Sequence, residues 1–338
     1  MKELSILLVR RDNIGDLLCT TPLIDGLRKR YPRAFLAVLA SSYNAEVLDG
    51  NPQVDRVFIF PKKHEEKSIH YFFSKLWKRW LLVEEIKKYC FDYVILANGG
   101  WRYGRRLGGK QTIGFRERKR SEHQQPSILL PLEKETQEEH EVLKMARLGA
   151  LLGVQEATGP LHIFPQKEEC ERQQKRLLQL GWDPSLHTIG LHISSRRPEQ
   201  RWPKEFFVTL ARELMKKSKN QIFLFWSPGN SNNRMHPGDD EKAMWILEQL
   251  KGKYIFPCPT KKLRELIASL SLVDQIICSD GGAMHVAAAL QKPILCFFGT
   301  SDLSQWHPWR VPYEVLQPVS KNVADIRVED VLEKLSNL

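Results

Sequence analysis

The chain has 338 residues, enough for two domains at a scale of ~150 residues per domain. Its hydrophobic content of 42% and charged content of 27% are those of a globular protein that can bury ordinary cores. No window approaches the ~18 to 20 uninterrupted apolar residues of a membrane span, and charged residues soon break the first apolar run, so neither a transmembrane anchor nor a signal peptide is expected. The six cysteines lie far apart, which predicts reduced thiols in a cytoplasmic protein rather than a zinc site or a disulfide framework.

The net charge of +11 is concentrated in one part of the sequence. Residues 56–120 hold 17 lysines and arginines against 6 acidic residues, so this segment carries the whole excess. A basic segment of this kind indicates an anionic partner, which can be nucleic acid, anionic lipid or a phosphorylated substrate. The segment contains none of the usual nucleic-acid recognition motifs, which argues against nucleic acid.

The first half of the sequence alternates short apolar runs with longer helical patterns, as βαβ units do. A first strand is predicted at Leu4–Val9, followed by a helix through Tyr31. The later predicted strands are Phe35–Ala40, Arg56–Phe60, Tyr93–Ala97 and Gln111–Phe115. Helices are predicted over residues 68–90 and 137–152, and a loop rich in glycine and arginine precedes the last of these strands.

Residues 153–165 have little periodicity and contain glycine, proline and threonine, which predicts an interdomain linker. Beyond it, strands are predicted at Thr188–Ile193, Gln221–Phe225, Tyr254–Phe256, Gln275–Cys278 and Pro293–Phe298. Helices are predicted over residues 167–180, 203–217, 239–250, 261–270, 283–290 and 328–336. Because the strands are almost continuously apolar, they should be parallel and covered by helices on both faces. We therefore expect two doubly wound α/β domains, with ligands outside the carboxyl ends of the strands.

The turn after the first predicted strand contains two aspartates, Asp12 and Asp16. Carboxylates at the carboxyl end of such a strand are well placed for acid or base chemistry. Aspartate is also a routine residue at helix N-termini, and the residues alone favour this capping role for both.

The segment from Ser279 to His285 lies between a strand and an alanine-rich helix. Gly281 and Gly282 would let a ligand approach the backbone, and the following helix N-terminus offers unpaired N–H groups to a phosphate. The alternative is a tight turn capped by Asp280, with His285 packed one turn into the helix. The residues alone do not decide between these two interpretations.

Two further loops follow strands of the second half. Ser194 and Ser195 are followed by the arginines at 196, 197 and 201, a set that suits the oxygens of a diphosphate. A solvated loop before Pro203 is the alternative. The loop of residues 226–241 is long and polar, and loops of this length are often functional. The sequence has no Asp-x-Asp motif, so it offers no obvious carboxylate pair for a divalent metal.

With these residues in view, the chain resembles glycosyltransferase family 9, which contains the lipopolysaccharide heptosyltransferases. Three segments carry the resemblance, in the family's order: ILLVRRDNIGDLLCTTPLIDGLRKRYP, RWPKEFF and SDGGAMHVAAAL. The resemblance implies a GT-B architecture, in which two Rossmann-like domains face each other across a cleft. It implies an acceptor-binding domain over residues 1–160, a nucleotide-sugar-binding domain over 161–325, and a C-terminal helix over 326–338 that packs back toward the first domain.

The resemblance also implies roles for single residues. Asp16 falls on the family's general base, which replaces the capping interpretation for Asp16 but not for Asp12. Arg201 falls where members often have a lysine that neutralises the donor diphosphate, so a guanidinium stands here in place of an ammonium group. The other implied donor-binding residues are Ser194, Ser195, Asp280, Gly281, Gly282 and His285, with Glu241 as a candidate contact for the ribose.

The expected function is therefore inverting, metal-independent transfer of a heptose from ADP-heptose to a phosphorylated lipopolysaccharide core acceptor, without a cofactor. One carboxylate base and a cationic cradle for the departing nucleotide suffice for such a reaction. A family 9 transferase that uses another nucleotide sugar is one alternative. A non-catalytic protein that binds nucleotide sugars or nucleic acid is the other.

The basic segment supplies the expected acceptor contacts and a possible membrane contact. The acceptor-binding residues are predicted to be Arg102, Arg105, Arg106, Arg116 and Arg120. The helix over residues 68–90 sets tryptophans among lysines, a pattern typical of helices in a lipid headgroup region. An ordinary domain helix with its apolar face in the core is the alternative. The favoured hypothesis is that this surface docks on the anionic inner membrane and steers the acceptor.

Overall fold

The computed structural model describes residues 3–61, 69–116, 125–130, 139–217, 220–232, 237–252 and 254–338, and of residues 69–75, 130 and 217 only the backbone. The chain divides into two compact units, Met1–Phe164 and Pro165–Leu338. The division falls at the end of the predicted linker, a few residues beyond the predicted boundary at residue 160. None of the helices in the described ranges has the length and apolarity needed to cross a membrane.

The first unit contains a six-stranded parallel sheet. Its strands are β1 (Ser5–Val9), β2 (Phe35–Ser41), β3 (Arg56–Phe60), β4 (Tyr93–Leu96), β5 (Gln111–Phe115) and β6 (Ile128–Leu130). The spatial order is β3-β2-β1-β4-β5-β6, the order of a doubly wound nucleotide-binding fold. The order reverses between β1 and β4, whose neighbouring carboxyl ends form the switch point at which such folds bind ligands.

The helices of the first unit follow strands of that sheet in alternation. They are α1 (Ile14–Leu18), α2 (Thr21–Arg30), α3 (Ile69–Lys87), α4 (Trp101–Arg106) and α5 (Glu141–Ala150). Leu82, Val83 and Ile86 of α3 pack on the sheet with Leu7 and Leu39. The predicted helix over 68–90 is thus confirmed from residue 69, and it has an apolar face in the core.

The second unit repeats the same architecture. Its strands are β7 (Thr188–His192), β8 (Gln221–Trp226), β9 (Ile255–Pro259), β10 (Gln275–Ser279), β11 (Ile294–Phe297) and β12 (Tyr313–Leu316). They are parallel and lie in the order β12-β11-β10-β7-β8-β9. Counted within the unit this is again 3-2-1-4-5-6, so the switch point lies between β7 and β10.

Seven α-helices are described in the second unit: α6 (Lys167–Gln179), α7 (Lys204–Lys217), α8 (Asp240–Gln249), α9 (Leu263–Ser271), α10 (Gly282–Ala289), α11 (Leu303–Trp306) and α12 (Val328–Leu335). The last of them, α12, contacts α7, β11 and β12 of its own unit. Just before it, the carbonyl of Ile326 accepts a hydrogen bond of 2.9 Å from Nε1 of buried Trp202. The predicted packing of this helix toward the first domain stays a prediction.

Four short elements were not predicted from the sequence. These are β6, β12, α4 and α11. Strand β12 is partly exposed along its length and lies at the sheet edge, so it lacks the apolar run of the buried strands. Helix α4 was predicted as a loop, because it is six residues long, contains a glycine and carries three arginines. Each is too short or too polar to show the periodicity on which a prediction depends.

Candidate active site

Asp16 lies in the turn and short helix that follow β1, at the switch point of the first sheet. It is the third residue of α1, and its Oδ2 accepts a hydrogen bond of 3.2 Å from the backbone N–H of Asn13. Its Oδ1 accepts one of 2.8 Å from Nη2 of Arg10. The side chain is 14% exposed. Asp16 thus has the capping contact that the residues suggested, and it also keeps a partly exposed carboxylate in a fixed orientation.

Arg10 is the centre of a buried ionic cluster that holds this carboxylate. Its side chain is 2% exposed, and its Nη2 also donates to Oε1 of buried Glu141 at 2.7 Å. Its Nε lies 3.1 Å from Oδ1 of Asp12, and its Nη1 donates to the carbonyl of Ala97, directly after β4, at 2.8 Å. One guanidinium therefore joins both sides of the switch point to Asp16. Burial opposes the charge of Arg10, but the surrounding carboxylates raise its pKa above the usual value.

Three carboxylates share Arg10, and Lys144 adds a second positive charge 3.6 Å from Oε2 of Glu141. Burial raises the pKa of Asp12 to about 6 although Arg10 lowers it, and the nearby Asp16 raises it further. Asp12 therefore takes up a proton as the pH falls through about 6. Arg10 and Glu141 were not predicted as site residues. Arg10 was noted only as a charge that ends an apolar run, and Glu141 lies far away in the sequence.

The predicted basic segment is split between the two ends of the first sheet. At the amino end, Arg56 forms an ion pair with Glu85 and Lys110 pairs with Asp92 at 2.6 Å. Near the carboxyl end lie the exposed arginines of α4 and the exposed residue after β5: Arg102, Arg105, Arg106 and Arg116. Lys110 lies apart from the start of α4, because it precedes β5 while α4 follows β4. Arg120, also predicted to bind the acceptor, lies outside the described residues.

In the second unit, the loop after β7 is tied to its neighbours by the residues predicted to bind the donor. Ser194 accepts a hydrogen bond of 2.9 Å at Oγ from the N–H of Ser227, which follows β8. Arg201 donates from Nε to the carbonyl of Ser195 at 2.8 Å, and from Nη2 to buried Asp239 at 3.2 Å. Its side chain is 27% exposed. The guanidinium is thus anchored by two nitrogens and still reaches the surface.

The turn after β10 has the features expected of an anion site. Gly281 has φ 158° and ψ −169°, a backbone conformation that is essentially restricted to glycine. A Cβ at this position would meet no atom within 4 Å, so the space beside the turn is open. Gly282 begins α10, which points its N-terminal N–H groups toward the turn. His285 lies buried in the first turn of α10, 5.9 Å from the ring of Trp306 and edge to face with it.

Gln200 links these two loops, and sequence reasoning missed it. Its side chain is buried, and its Nε2 donates to Oδ2 of Asp280 at 3.0 Å and to Oγ of Ser301 at 2.8 Å. Its Oε1 accepts from Oγ of Ser195 at 3.2 Å, and its carbonyl accepts from Oγ of Ser279 at 2.7 Å. The residues after β7, β10 and β11 are therefore joined through one neutral side chain. An isolated glutamine in a loop gives no sequence pattern that predicts this role.

Three carboxylates lie at the end of the loop after β8, and Glu241, the predicted ribose contact, is one of them. Glu241 is exposed in the first turn of α8. Asp239 is buried against Arg201, and Asp240 accepts hydrogen bonds from Nε1 of Trp226 and the N–H of Gly229 at 2.8 and 2.9 Å. Asp239 and Asp240 therefore shape the loop, while Glu241 points to solvent.

Comparison with known proteins identifies the family of the chain. The family model described as glycosyltransferase family 9 (heptosyltransferase) matches residues 79–336. The chain is 23% identical to lipopolysaccharide heptosyltransferase 2 of Salmonella typhimurium, over 99% of this chain and 98% of that one. It is also 23% identical to lipopolysaccharide heptosyltransferase 3 of Escherichia coli, over 87% and 82% of the two chains.

Solved structures resemble the fold along almost the whole chain. The family 9 glycosyltransferase of Veillonella parvula has a TM-score of 0.82 at 23% identity, covering 99% of this chain and 97% of that one. The E. coli heptosyltransferase WaaC with ADP has a TM-score of 0.76 at 17% identity, covering 99% and 100%. With two parallel sheets of six strands each, the protein has the GT-B fold of glycosyltransferases. The chain belongs to glycosyltransferase family 9, and it is a glycosyltransferase.

Proposed function

We propose that this enzyme transfers a heptose from ADP-heptose to a phosphorylated lipopolysaccharide core acceptor, with inversion and without a metal ion. The observation that carries the proposal is the carboxylate of Asp16, partly exposed at the switch point and oriented by buried Arg10. The relatives named above support the choice of substrates, because they are lipopolysaccharide heptosyltransferases and one of the similar structures contains ADP.

In the proposed reaction Asp16 acts as the general base. An acceptor hydroxyl oxygen attacks the anomeric carbon of the donor, the bond from that carbon to the diphosphate oxygen breaks, and ADP leaves with the bonding electrons. Asp16 takes the proton of the hydroxyl. Its hydrogen bonds from Arg10 and Asn13 hold the carboxylate in one orientation.

The second unit is proposed to bind the nucleotide sugar. Arg201 would neutralise charge on the diphosphate, and the N-terminal N–H groups of α10, reached over the open turn at Gly281 and Gly282, would receive phosphate oxygens. The remaining donor contacts are proposed for Ser194, Ser195, Glu241, Asp280 and His285. Arginine and the helix N-terminus together would supply the positive charge that a divalent metal provides elsewhere.

The first unit is proposed to bind the acceptor. The exposed arginines of α4 and the residue after β5 lie on the side of the sheet where its strands end, as Asp16 does. Guanidinium groups bind phosphate oxygens in a bidentate manner. The proposed contacts are Arg102, Arg105, Arg106, Arg116 and Arg120.

The function is tested by a transfer assay with defined donors. The purified enzyme is incubated with a heptose-deficient lipopolysaccharide core and either ADP-heptose or UDP-GlcNAc, with and without EDTA. The mass of the product is measured by mass spectrometry. The expected result is a gain of one heptose from ADP-heptose that survives EDTA. Transfer only from UDP-GlcNAc would contradict the donor. Loss of activity in EDTA with rescue by Mg²⁺ or Mn²⁺ would contradict the metal-free reaction.

We further propose that α3 brings the enzyme to the cytoplasmic face of the anionic inner membrane. Its outward face exposes four large apolar side chains, Leu76, Trp77, Trp80 and Leu81. The two tryptophan rings, 60% and 52% exposed, stack at 4.9 Å, and Lys78 beside them and Lys88 are exposed as well. Tryptophan and lysine on one helix face suit a headgroup region with negative charge. The side chain of Lys75 lies outside the described residues.

Sedimentation with vesicles of anionic and of zwitterionic lipid tests this surface. The double variant Trp77→Ser/Trp80→Ser should lose binding to anionic vesicles, and Lys78→Gln/Lys88→Gln should weaken it in a salt-dependent way, by about 1 kcal/mol per lysine. Met244→Ser removes an equally exposed apolar side chain from α8 and serves as the control. Wild-type enzyme that does not sediment with anionic vesicles would contradict the proposal.

A further inference from the structure

Two arginines of the first unit lie against the ring of one phenylalanine, at the end of the sheet where the strands have their carboxyl ends. The guanidinium carbons of Arg11 and Arg79 are each 4.5 Å from the centroid of the Phe60 ring. The guanidinium carbon of Arg11 is also 4.1 Å from the ring centroid of Tyr103, and Tyr103 meets Phe60 edge to face at 5.4 Å. The turn after β1, the end of β3, and helices α3 and α4 thus converge on one cluster.

The aromatic rings fix both cations in place. A guanidinium over an aromatic face is attracted by the ring, and more strongly where water is excluded. Arg79 is held further by a hydrogen bond of 3.1 Å from its Nη2 to the carbonyl of Pro61. These contacts use the faces of the guanidinium groups and leave most of their N–H donors for another partner.

The positive charge of the cluster has no carboxylate of its own. Among the described residues, neither Arg11 nor Arg79 forms an ion pair, and Arg106 adds a third positive charge near Tyr103. Asp12, the carboxylate nearest in sequence, lies 3.1 Å from Arg10. Burial lowers the pKa of Arg11 and the charge of Arg79 lowers it further, while Tyr103 and Asp12 raise it. Positive charges that lie close together in a partly buried site repel one another unless an anion binds between them.

Three buried polar atoms of the cluster lack hydrogen-bond partners within the described ranges. They are Nε of Arg11, Nε of Arg79 and Oη of Tyr103. Arginine nitrogens can only donate, and a tyrosine hydroxyl can donate as well. Buried donors without acceptors are rare in folded proteins, because their desolvation is not compensated. An anion with acceptor oxygens at this cluster would offset the positive charge and offer an acceptor to these donors.

We propose that Arg11, Arg79 and Tyr103 form an oxyanion-binding site for a phosphate or carboxylate group of the acceptor. That the bound molecule is the acceptor rests on the proposed function. Arg11 directly follows Arg10, which holds the carboxylate of Asp16. A substrate anchored here through its anionic group would be tied to the same turn as the base. The site therefore positions the acceptor, while the exposed arginines of α4 make contacts that solvent weakens.

Anion binding is measured first, without turnover. The enzyme is saturated with ADP so that the donor site is filled, and its thermal stability is followed against phosphate, malonate and chloride at equal ionic strength. Phosphate or malonate should stabilise the wild-type protein more than chloride does. Stronger stabilisation by phosphate identifies a phosphate group, and stronger stabilisation by malonate identifies a carboxylate.

Three variants locate the site. Arg11→Gln should raise the apparent Kd of the preferred anion by about tenfold or more, the scale of a lost charged hydrogen bond. Tyr103→Phe removes only the buried hydroxyl, so it keeps the fold and should weaken the anion by a smaller factor. Arg33→Gln removes an exposed arginine just before β2, at the amino end of the strands, and should leave the Kd of the anion unchanged.

Kinetics then connect the site to the acceptor. Arg11→Gln and Tyr103→Phe should raise the KM of the acceptor and leave the Kd of ADP unchanged, and the preferred anion should inhibit the wild-type enzyme competitively with the acceptor. An anion effect no larger than that of chloride, or one unchanged in both variants, would overturn the proposal. If the anion binds as described but no heptose is transferred, the proposed function fails and the oxyanion site stands.

Discussion

The two sheets of this protein share one strand order, yet the turns at their switch points are built from different chemistry. In the first unit the turn after β1 is organised by Arg10, a buried cation that gathers three carboxylates. In the second unit the corresponding turn after β7 is organised by Gln200, a buried neutral amide that joins Asp280, Ser195 and Ser301. The two sheets have the same topology, but the residue that organises the turn is a cation in the first unit and a neutral amide in the second.

This difference shows how one architecture can supply two halves of a reaction. Buried Arg10 orients the carboxylate of Asp16, as the proposed base requires. Gln200 adds no charge beside Arg201, and under the proposed function the guanidinium of Arg201 and the glycine turn before α10 receive the departing diphosphate. The strand order determines where ligands bind, and the residues after the strands determine what is bound.

The largest expected effect comes from removing the cation of the first cluster. Arg10→Met leaves Glu141, Asp12 and Asp16 without their shared partner, and the folded state should lose about 3 to 5 kcal/mol, the scale of breaking a buried ion pair. Urea unfolding at pH 7 measures this loss. Because the pKa of Asp12 is raised to about 6, its carboxyl group is protonated at pH 5 and the loss should shrink there. Arg33→Met is the exposed control, and an equal effect in both variants would contradict a buried network.

In the second unit, Arg201→Ala should act mainly on ligand binding. The variant removes the proposed partner of the diphosphate, so the binding of ADP should weaken by about 1.5 to 3 kcal/mol, measured by titration calorimetry. Arg196→Ala removes an exposed arginine from the same loop and should leave ADP binding unchanged. Equal losses in the two variants would indicate a diffuse attraction and not a contact by Arg201.

Replacing Gln200 should weaken ADP binding less than replacing Arg201 does. Gln200→Ala leaves Asp280 and Ser301 without the amide that joins them, which should weaken ADP binding by about 1 to 2 kcal/mol, the scale of a buried hydrogen bond left unmade. Gln200→Glu would place a carboxylate against Asp280, so its loss should be greater at pH 8 than at pH 5.5. Affinity independent of pH in this second variant would contradict the contact.

The smallest expected effect concerns pH and Asp12. Its pKa is raised to about 6 from an ordinary value of 3.8, so across pH 4 to 6 the folded protein binds a proton that the unfolded chain has released. Stability therefore falls as the pH rises through this window and levels off above it. In Asp12→Asn that fall should be reduced by on the order of 1 kcal/mol. Parallel stability curves for the two proteins would show that Asp12 titrates normally.

Sequence alone predicted the strands well. Buried parallel strands such as β1 and β8 leave an apolar run that needs no tertiary context. Asp16 was singled out through a turn motif and a family resemblance, and its role stays a prediction. Glu141 could not be found, because its contact with Arg10 joins residues 131 positions apart. Gln200 was equally hidden, because a glutamine in a loop has no characteristic spacing and only packing shows which groups it meets.

The turnover of the Asp16→Asn variant tests most directly whether Asp16 is the base of a transfer from ADP-heptose. Asparagine keeps the shape of the side chain but cannot take up the proton of the acceptor. The account predicts that kcat falls by at least ~100-fold, the usual scale of general-base loss, while the Kd of ADP stays within about twofold of wild type. A correctly folded Asp16→Asn enzyme with near-normal kcat would contradict this role and leave Asp16 its structural contacts with Arg10 and the N–H of Asn13.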